Sequence, residues 1–177
     1  MNVAATENPP AGYVRLGSLG RPFQLQGGLH FYPLGQAEAQ AIGTVEQVFV
    51  THWGMAKLRE VRRQGNGIIV YFSTLQQREQ VKALVNSALY APAEALPALA
   101  GQYYLELLTD LPVYCNGQAC GYVREAYASV GQDLLVVALE QQEYLVPLQA
   151  DYVRVTDDGV YLDNPPEGLL TPDADAS

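Results

Sequence analysis

The hydrophobic pattern of this chain is mostly that of β-strands, short apolar runs bounded by turn residues. Runs rich in branched and aromatic side chains fall at Tyr13–Leu16, Leu29–Tyr32, Thr44–Val50, Leu58–Arg63 and Ile68–Phe72, with Gly or Pro between several of them. Gln64-Gly65-Asn66-Gly67 reads as the loop of a hairpin joining the last two. Five or six short strands with this spacing predict a small barrel. The period changes after Phe72. Thr74 is a good N-cap with Gln77 three residues on, and Leu75, Val81, Leu84 and Val85 fall near one face, which predicts one short helix packed on the barrel.

The segment Ala91–Ala100 contains Pro92 and Pro97, which limit a continuous helix, and it stops at Gly101, so it is read as a linker. Strand patterning resumes with Val113–Cys115 and Gln118–Val123 around Asn116-Gly117, a dipeptide suited to a two-residue type I′ turn. It continues through Leu134–Leu139, Tyr144–Leu148 and Tyr152–Thr156, and Asp158-Gly159 turns the chain into Val160–Leu162. The expected fold class is all-β: two small β-barrel domains joined by a short linker, with one short helix in the N-terminal part. The expected bounds are residues 11–90 for the first barrel, 91–100 for the linker and 101–170 for the second. Residues 1–10 and 171–177 are rich in Ala, Pro, Asp and Asn with almost nothing to bury, and are expected to be disordered. Pattern alone does not separate a barrel from a sandwich in the second half.

Composition supports this reading: 177 residues that are 49% hydrophobic suffice for two small cores. The longest apolar runs, such as Leu134–Leu139, fall well short of the roughly 20 residues that a membrane span needs, and the start lacks a basic-then-apolar signal pattern. A soluble, cytoplasmic protein is expected. The net charge of −9 is unevenly distributed. Residues 1–92 hold eight Lys/Arg against five Glu, a net +3, whereas the remainder holds two Arg against fourteen Asp/Glu, a net −12. The split suits either two partners, nucleic acid for the first half and a basic protein for the second, or solubility alone.

Catalytic and metal chemistry find little support. In a regular type I′ hairpin Cys115 faces Gln118 and Cys120 faces Val113, so the two cysteines are diagonal neighbours about 7–8 Å apart at the backbone and no disulfide is expected. With His30 and His52 they make a poor metal set, because structural zinc takes four such ligands. Gly17-Ser18-Leu19-Gly20 lacks the third glycine and the following helix of a dinucleotide fingerprint. Neither histidine sits beside a nucleophile motif, and the carboxylates scatter without an obvious pair.

Surface chemistry is more informative. Twelve tyrosines against four phenylalanines means many rings carry a hydroxyl that must meet water or a partner. Tyr103-Tyr104 stands out: on a strand, neighbours point to opposite faces, so one ring would anchor in the core and the other reach outward. The alternative is that both pack the domain junction. Lys57, Arg59, Arg62 and Arg63 form the one basic cluster, on a strand ending in a hairpin loop, where they could reach phosphates or simply solvate a barrel face.

Several stretches in order resemble the RimM family of ribosome maturation factors, over about Tyr13 to Leu170. Tyr13 to Leu29 is similar to the family's opening, in which a Gly-x-x-Gly turn leads into the second strand; Gln24 stands at the first of those glycine positions and Gly27 keeps the second. Gly101 to Val113 is similar to the start of the family's PRC barrel, with its paired tyrosines as Tyr103-Tyr104, although the usual Asp-Leu-x-Gly has become Leu107-Leu108-Thr109-Asp110. Tyr144-Leu145-Val146-Pro147-Leu148 and Pro166-Glu167-Gly168-Leu169-Leu170 are similar to its Leu-Val-Pro strand and its closing motif.

The resemblance implies a non-enzymatic, chaperone-like cytoplasmic factor of ribosome biogenesis, without cofactor or metal. It would associate with the small ribosomal subunit and assist maturation of its head and rRNA processing. It also implies a basic head protein of the S-nineteen family as partner, with Tyr103 and Tyr104 implicated in that contact, and no membrane. A monomer is expected. Two rivals remain open: an RNA-modifying or RNA-cleaving enzyme using His30 or His52 with Asp110, and a membrane-associated PRC-type structural module, which the acidic surface disfavours.

Overall fold

The structure, a computed structural model, describes residues 8–99 and 102–170. Residues 1–7 and 171–177, which make up most of the expected disordered ends, lie outside the described residues, as does Gly101. The chain divides into two compact units, residues 1–102 and 103–177.

The first unit is a closed six-stranded barrel. Its strands are β1 (Tyr13–Phe23), β2 (Gly28–Pro33), β3 (Gln47–Val50), β4 (Gly54–Gln64), β5 (Gly67–Phe72) and β6 (Ala88–Pro92), in the order β1-β2-β5-β4-β3-β6. All pairings are antiparallel. The sequence runs anticipate β1 to β5. They miss β6, whose last residues Ala91 and Pro92 are expected in the linker but pair with Val14 and Tyr13. Leu16, Leu19, Leu29, Phe31, Phe49, Phe72 and Leu89 are fully buried and fill the interior.

Two short α-helices accompany the barrel. The helix expected from Thr74 starts later: α2 spans Arg78–Val81, with Gln77 as N-cap and a reciprocal capping box to Gln80. Gln80 Oε1 accepts from the Gln76 and Gln77 N–H groups, so the glutamine pair replaces the expected threonine cap. Its apolar face is the one expected, with Leu75, Val81 and Leu84 buried. The other, α1 (Gln36–Ala41), has Gly35 as N-cap and no side-chain cap bond, so the sequence carries no start signal for it.

The second unit, expected as a second barrel, is one six-stranded sheet in the order β10-β9-β8-β7-β12-β11. Its strands are β7 (Pro112–Cys115), β8 (Gln118–Ser129), β9 (Gln132–Leu139), β10 (Gln142–Pro147), β11 (Val153–Thr156) and β12 (Gly159–Leu162). All neighbours are antiparallel except β12 and β7, which are parallel. The Asn116-Gly117 turn forms, with φ of 51° and 86° as type I′ requires. The last hairpin turns on Asp157-Asp158 rather than Asp158-Gly159, since Thr156 pairs with Gly159. Asp133 is buried at the start of β9, where Gln149 Nε2 donates to its carboxylate and its own N–H donates to Gln149 Oε1.

The expectation about the cysteines is overturned. A β-bulge interrupts the β7–β8 register: Tyr114 faces Ala119 while Val113 faces Gly121, leaving Cys120 as the extra residue. The bulge draws the two Cα atoms to 6.0 Å, inside the range for a bridge, and Cys115 and Cys120 form a disulfide.

Both positions at which the resemblance sets a glycine, Gln24 and Asp110, have glycine-like backbone. Gln24 has φ 55° and Asp110 has φ 71°, each in the left-handed region that an ordinary L-residue enters at a cost of roughly 1–2 kcal/mol. At Asp110 the turn is kept: its N–H donates to Val123 O at 2.7 Å. Replacement by glycine relieves that strain but increases unfolded-chain entropy by about 0.4–1 kcal/mol. Gln24→Gly is therefore expected to stabilise the protein by about 0.5–1 kcal/mol, and Asp110→Gly by less, because Asp tolerates this region better. Thermal melting of the two variants against the parent checks both the sign and the order.

Candidate functional site

Strand β4 carries the basic cluster, and its geometry depends on one irregularity. The β4–β5 register pairs Leu58 with Phe72, then shifts so that Glu60 pairs with Tyr71, Val61 with Val70 and Arg62 with Ile69. Strict alternation would place Leu58 and Arg62 on the same face. The bulge at Arg59 reverses the phase, so Leu58 and Val61 both face inward with Phe72 and Val70, while Arg59 and Arg62 face outward. Both guanidinium groups lie over the Tyr71 ring, 5.3 and 5.1 Å from its centre. That ring is buried beneath them. Such contacts are electrostatic attractions between the cation and the ring quadrupole.

Lys57 is exposed on the same strand, beside a shallow cleft that also includes Glu46, Gln47 and Met55. Arg63 has the phase of Val61 but lies at the strand end, where its Nη2 donates to Ala39 O at 2.6 Å. The structure thus brings Arg59 and Arg62 together and turns Arg63 toward the rim of the barrel. Glu60 sits among them and accepts from Arg62 Nε at 2.7 Å.

Tyr103 and Tyr104 open the second unit. Neither lies on a strand, so the expected split between one core ring and one outward ring does not arise, and both side chains are half-buried. Tyr104 precedes a 3-10 turn, Leu105–Leu108, and its carbonyl accepts from the Leu107 N–H at 3.0 Å. Leu105 and Leu108 are buried and hold the turn, while Leu107 is exposed.

Within the first unit the two histidines of the enzyme rival stand on separate elements. His30 is half-buried on β2 between Phe23 and Tyr32, and His52 is exposed in the turn after β3 with φ 65°. Asp110 serves the turn described above. Among the described residues no group of three or more His, Cys, Asp or Glu could hold a metal ion, and no helix is long and apolar enough to cross a membrane. Sequence reading named His30 only as a candidate base, and missed that it shares the outer face of the barrel with Phe23, Tyr32 and Tyr71. The signal available for them was the alternation on β2, which puts Gly28, His30 and Tyr32 on one side.

The Arg62 guanidinium, hydrogen-bonded to Glu60, holds that carboxyl below the usual carboxylate value. Because the folded-state pKa is depressed, the stabilising contribution is present above the unfolded value of 4.5 and is lost as pH falls through the folded one. In Arg62→Ala the Glu60 pKa is expected to rise toward its ordinary value, as read by NMR titration of the side-chain carboxyl resonance.

Comparison with known proteins adds a second line of observation. Residues 14–96 match the model of the RimM N-terminal domain. The chain is 34% identical to a ribosome maturation factor RimM of Thermus thermophilus, over 89% of this chain and 98% of that protein. It is also 34% identical to the factor of the same name from Deinococcus radiodurans, over 82% of this chain and 78% of that protein. With that of Anaeromyxobacter dehalogenans it shares 37% identity, over 90% and 98% respectively. Identity at this level over nearly the full length of both chains covers the closed barrel and the second sheet alike, and the chain belongs to the RimM family.

Proposed function

We propose that this protein is a non-enzymatic factor of ribosome biogenesis that acts in the cytoplasm on the small ribosomal subunit, assisting maturation of its head and rRNA processing. The observation that carries the reading is the similarity to ribosome maturation factors along almost the whole chain. In this reading the second unit docks on a basic head protein of the S-nineteen family through Tyr103 and Tyr104. The net −12 beyond residue 92 supports a basic partner, since complementary charge raises encounter rate and fixes orientation. The first barrel contacts rRNA phosphates through Lys57, Arg59, Arg62 and Arg63. The factor needs no chemistry: a protein that binds only the correctly arranged head shifts the population toward it by its differential affinity.

Two outcomes follow. Tyr103→Ala combined with Tyr104→Ala is expected to leave the circular dichroism spectrum unchanged and to lower co-sedimentation with small subunits by about tenfold or more, the scale of an interface hot spot; unaltered co-sedimentation removes the tyrosines from the interface. Titration with purified small-subunit rRNA at a series of salt concentrations tests the basic strand. Each of Arg59→Ala and Arg62→Ala should reduce the log–log salt slope by about 1, and an unchanged slope removes that residue from phosphate contact.

A further inference from the structure

The outer face of the first barrel carries an aromatic feature that the phosphate contacts leave unused. On β2 the alternation sends Leu29 and Phe31 into the core and His30 and Tyr32 outward. Tyr32 is 55% exposed, a large aromatic left in water on an ordered strand. Its ring is nonetheless fixed. It lies against Gly20 of β1, where a Cβ would run into the ring, and it is parallel to the His30 ring within 8° at a centroid distance of 6.4 Å. His30 in turn meets Phe23 edge-on at 5.6 Å.

Beside this pair lies a cleft of ≈ 290 Å³, bordered by His30 and Tyr32, by the Gly65–Gly67 hairpin tip and by Arg63. That volume stands at the lower limit of small-molecule pockets, roughly 300 Å³. No acidic side chain lines it, and Arg63 is its one formally charged group among the described residues. The bond to Ala39 O takes one of the guanidinium's N–H donors and leaves others available. Arg62 lies next to it in β4, and its partner Ile69 also pairs with His30. An exposed ring held in place, a cleft of this size and the Arg63 guanidinium at its edge form a combination suited to a stacked base and its backbone phosphate.

We propose that this cleft receives an unpaired RNA base, stacked on Tyr32, with Arg63 contacting the same nucleotide; this rests on the reading that the basic β4 strand meets rRNA. A paired base is buried in its own stack, so single-stranded RNA is the ligand and duplex is not. Arg63, with no acidic side chain in the lining to oppose it, favours an anionic ligand over an apolar peptide.

The test uses the full chain and a fluorescein-labelled RNA of mixed sequence, roughly 12 nucleotides long to suit barrels of this kind, either single-stranded or annealed to its complement. Fluorescence anisotropy should show tighter binding of the single strand. Tyr32→Ala should weaken single-strand binding about tenfold, while Tyr32→Phe and Tyr32→Trp bind within about twofold of the parent and duplex binding is unmoved. Melting curves establish that each variant is folded, and Tyr32→Leu, apolar but without a ring to stack on, carries the test with the same expected loss of about tenfold if the Ala variant is not. If both RNA forms bind and Tyr32→Ala changes neither, base stacking is overturned while the phosphate contact stands. If neither RNA form binds the parent chain, the phosphate contact falls and the base pocket falls with it.

Discussion

Strand β1 has hydrogen-bonding partners on both edges, and the geometry of the first unit depends on its meeting both. Its first half pairs with β6 and its second half with β2, and register shifts at Arg15/Gly17 and Leu19/Pro22 let one strand turn the corner between them. Just before the first residue of β6 the edge is still satisfied: the Leu19 N–H donates to Ser87 O and the Asn86 N–H donates to Leu19 O, both at 2.8 Å. Closure leaves no free sheet edge in that unit and commits alternate residues of every strand to the interior. The outward face is then fixed as well. His30, Tyr32, Tyr71, Arg59 and Arg62 share it because Leu29, Phe31, Val70 and Leu58 occupy the core.

The surface electrostatics follow from this arrangement and from little else. The ion pairs Arg62–Glu60, Lys82–Glu79 and Arg154–Asp163 are exposed, so they add little to stability. Their effect is on position. Glu60 and Tyr71 together hold Arg62 above the barrel, and Arg154 is held over the Tyr161 ring at 4.3 Å while pairing with Asp163. Arg124 similarly pairs with Glu143 across the second sheet. In a unit so rich in carboxylates, its two arginines are engaged internally and the net negative charge faces outward.

At Gln24 and Asp110 this chain carries residues that the left-handed backbone disfavours, and the fold keeps the backbone. The surrounding hydrogen bonds explain why. Arg78 donates from its backbone to Leu25 O and from its side chain to Gln24 O, tying α2 to the β1–β2 loop, while Asp110 and Val123 are linked across β8 by paired backbone bonds around Leu111. Local preference is overruled where several long-range bonds require one conformation.

The all-β class, most strand positions, the Asn116-Gly117 turn, the apolar face of the helix after Thr74 and the unequal charge of the two halves were legible in the chain itself. Each follows from side-chain periodicity, turn chemistry or simple counting. The family resemblance was legible too, because its motifs are contiguous stretches. What the chain alone did not determine were the features created by pairing. Strand β6 has too little pattern of its own and exists because β1 and β3 supply partners on both sides. The Cys115–Cys120 bridge and the shared outward face of Arg59 and Arg62 both arise from bulges, and a one-residue slip in register reverses which face every later side chain occupies. The cleft beside Tyr32 joins residues from β2 and from the β4–β5 hairpin, which are neighbours only once β2 has paired with β5. Periodicity fixes which side of a strand a residue takes relative to its sequence neighbours; only register between strands decides what stands opposite it.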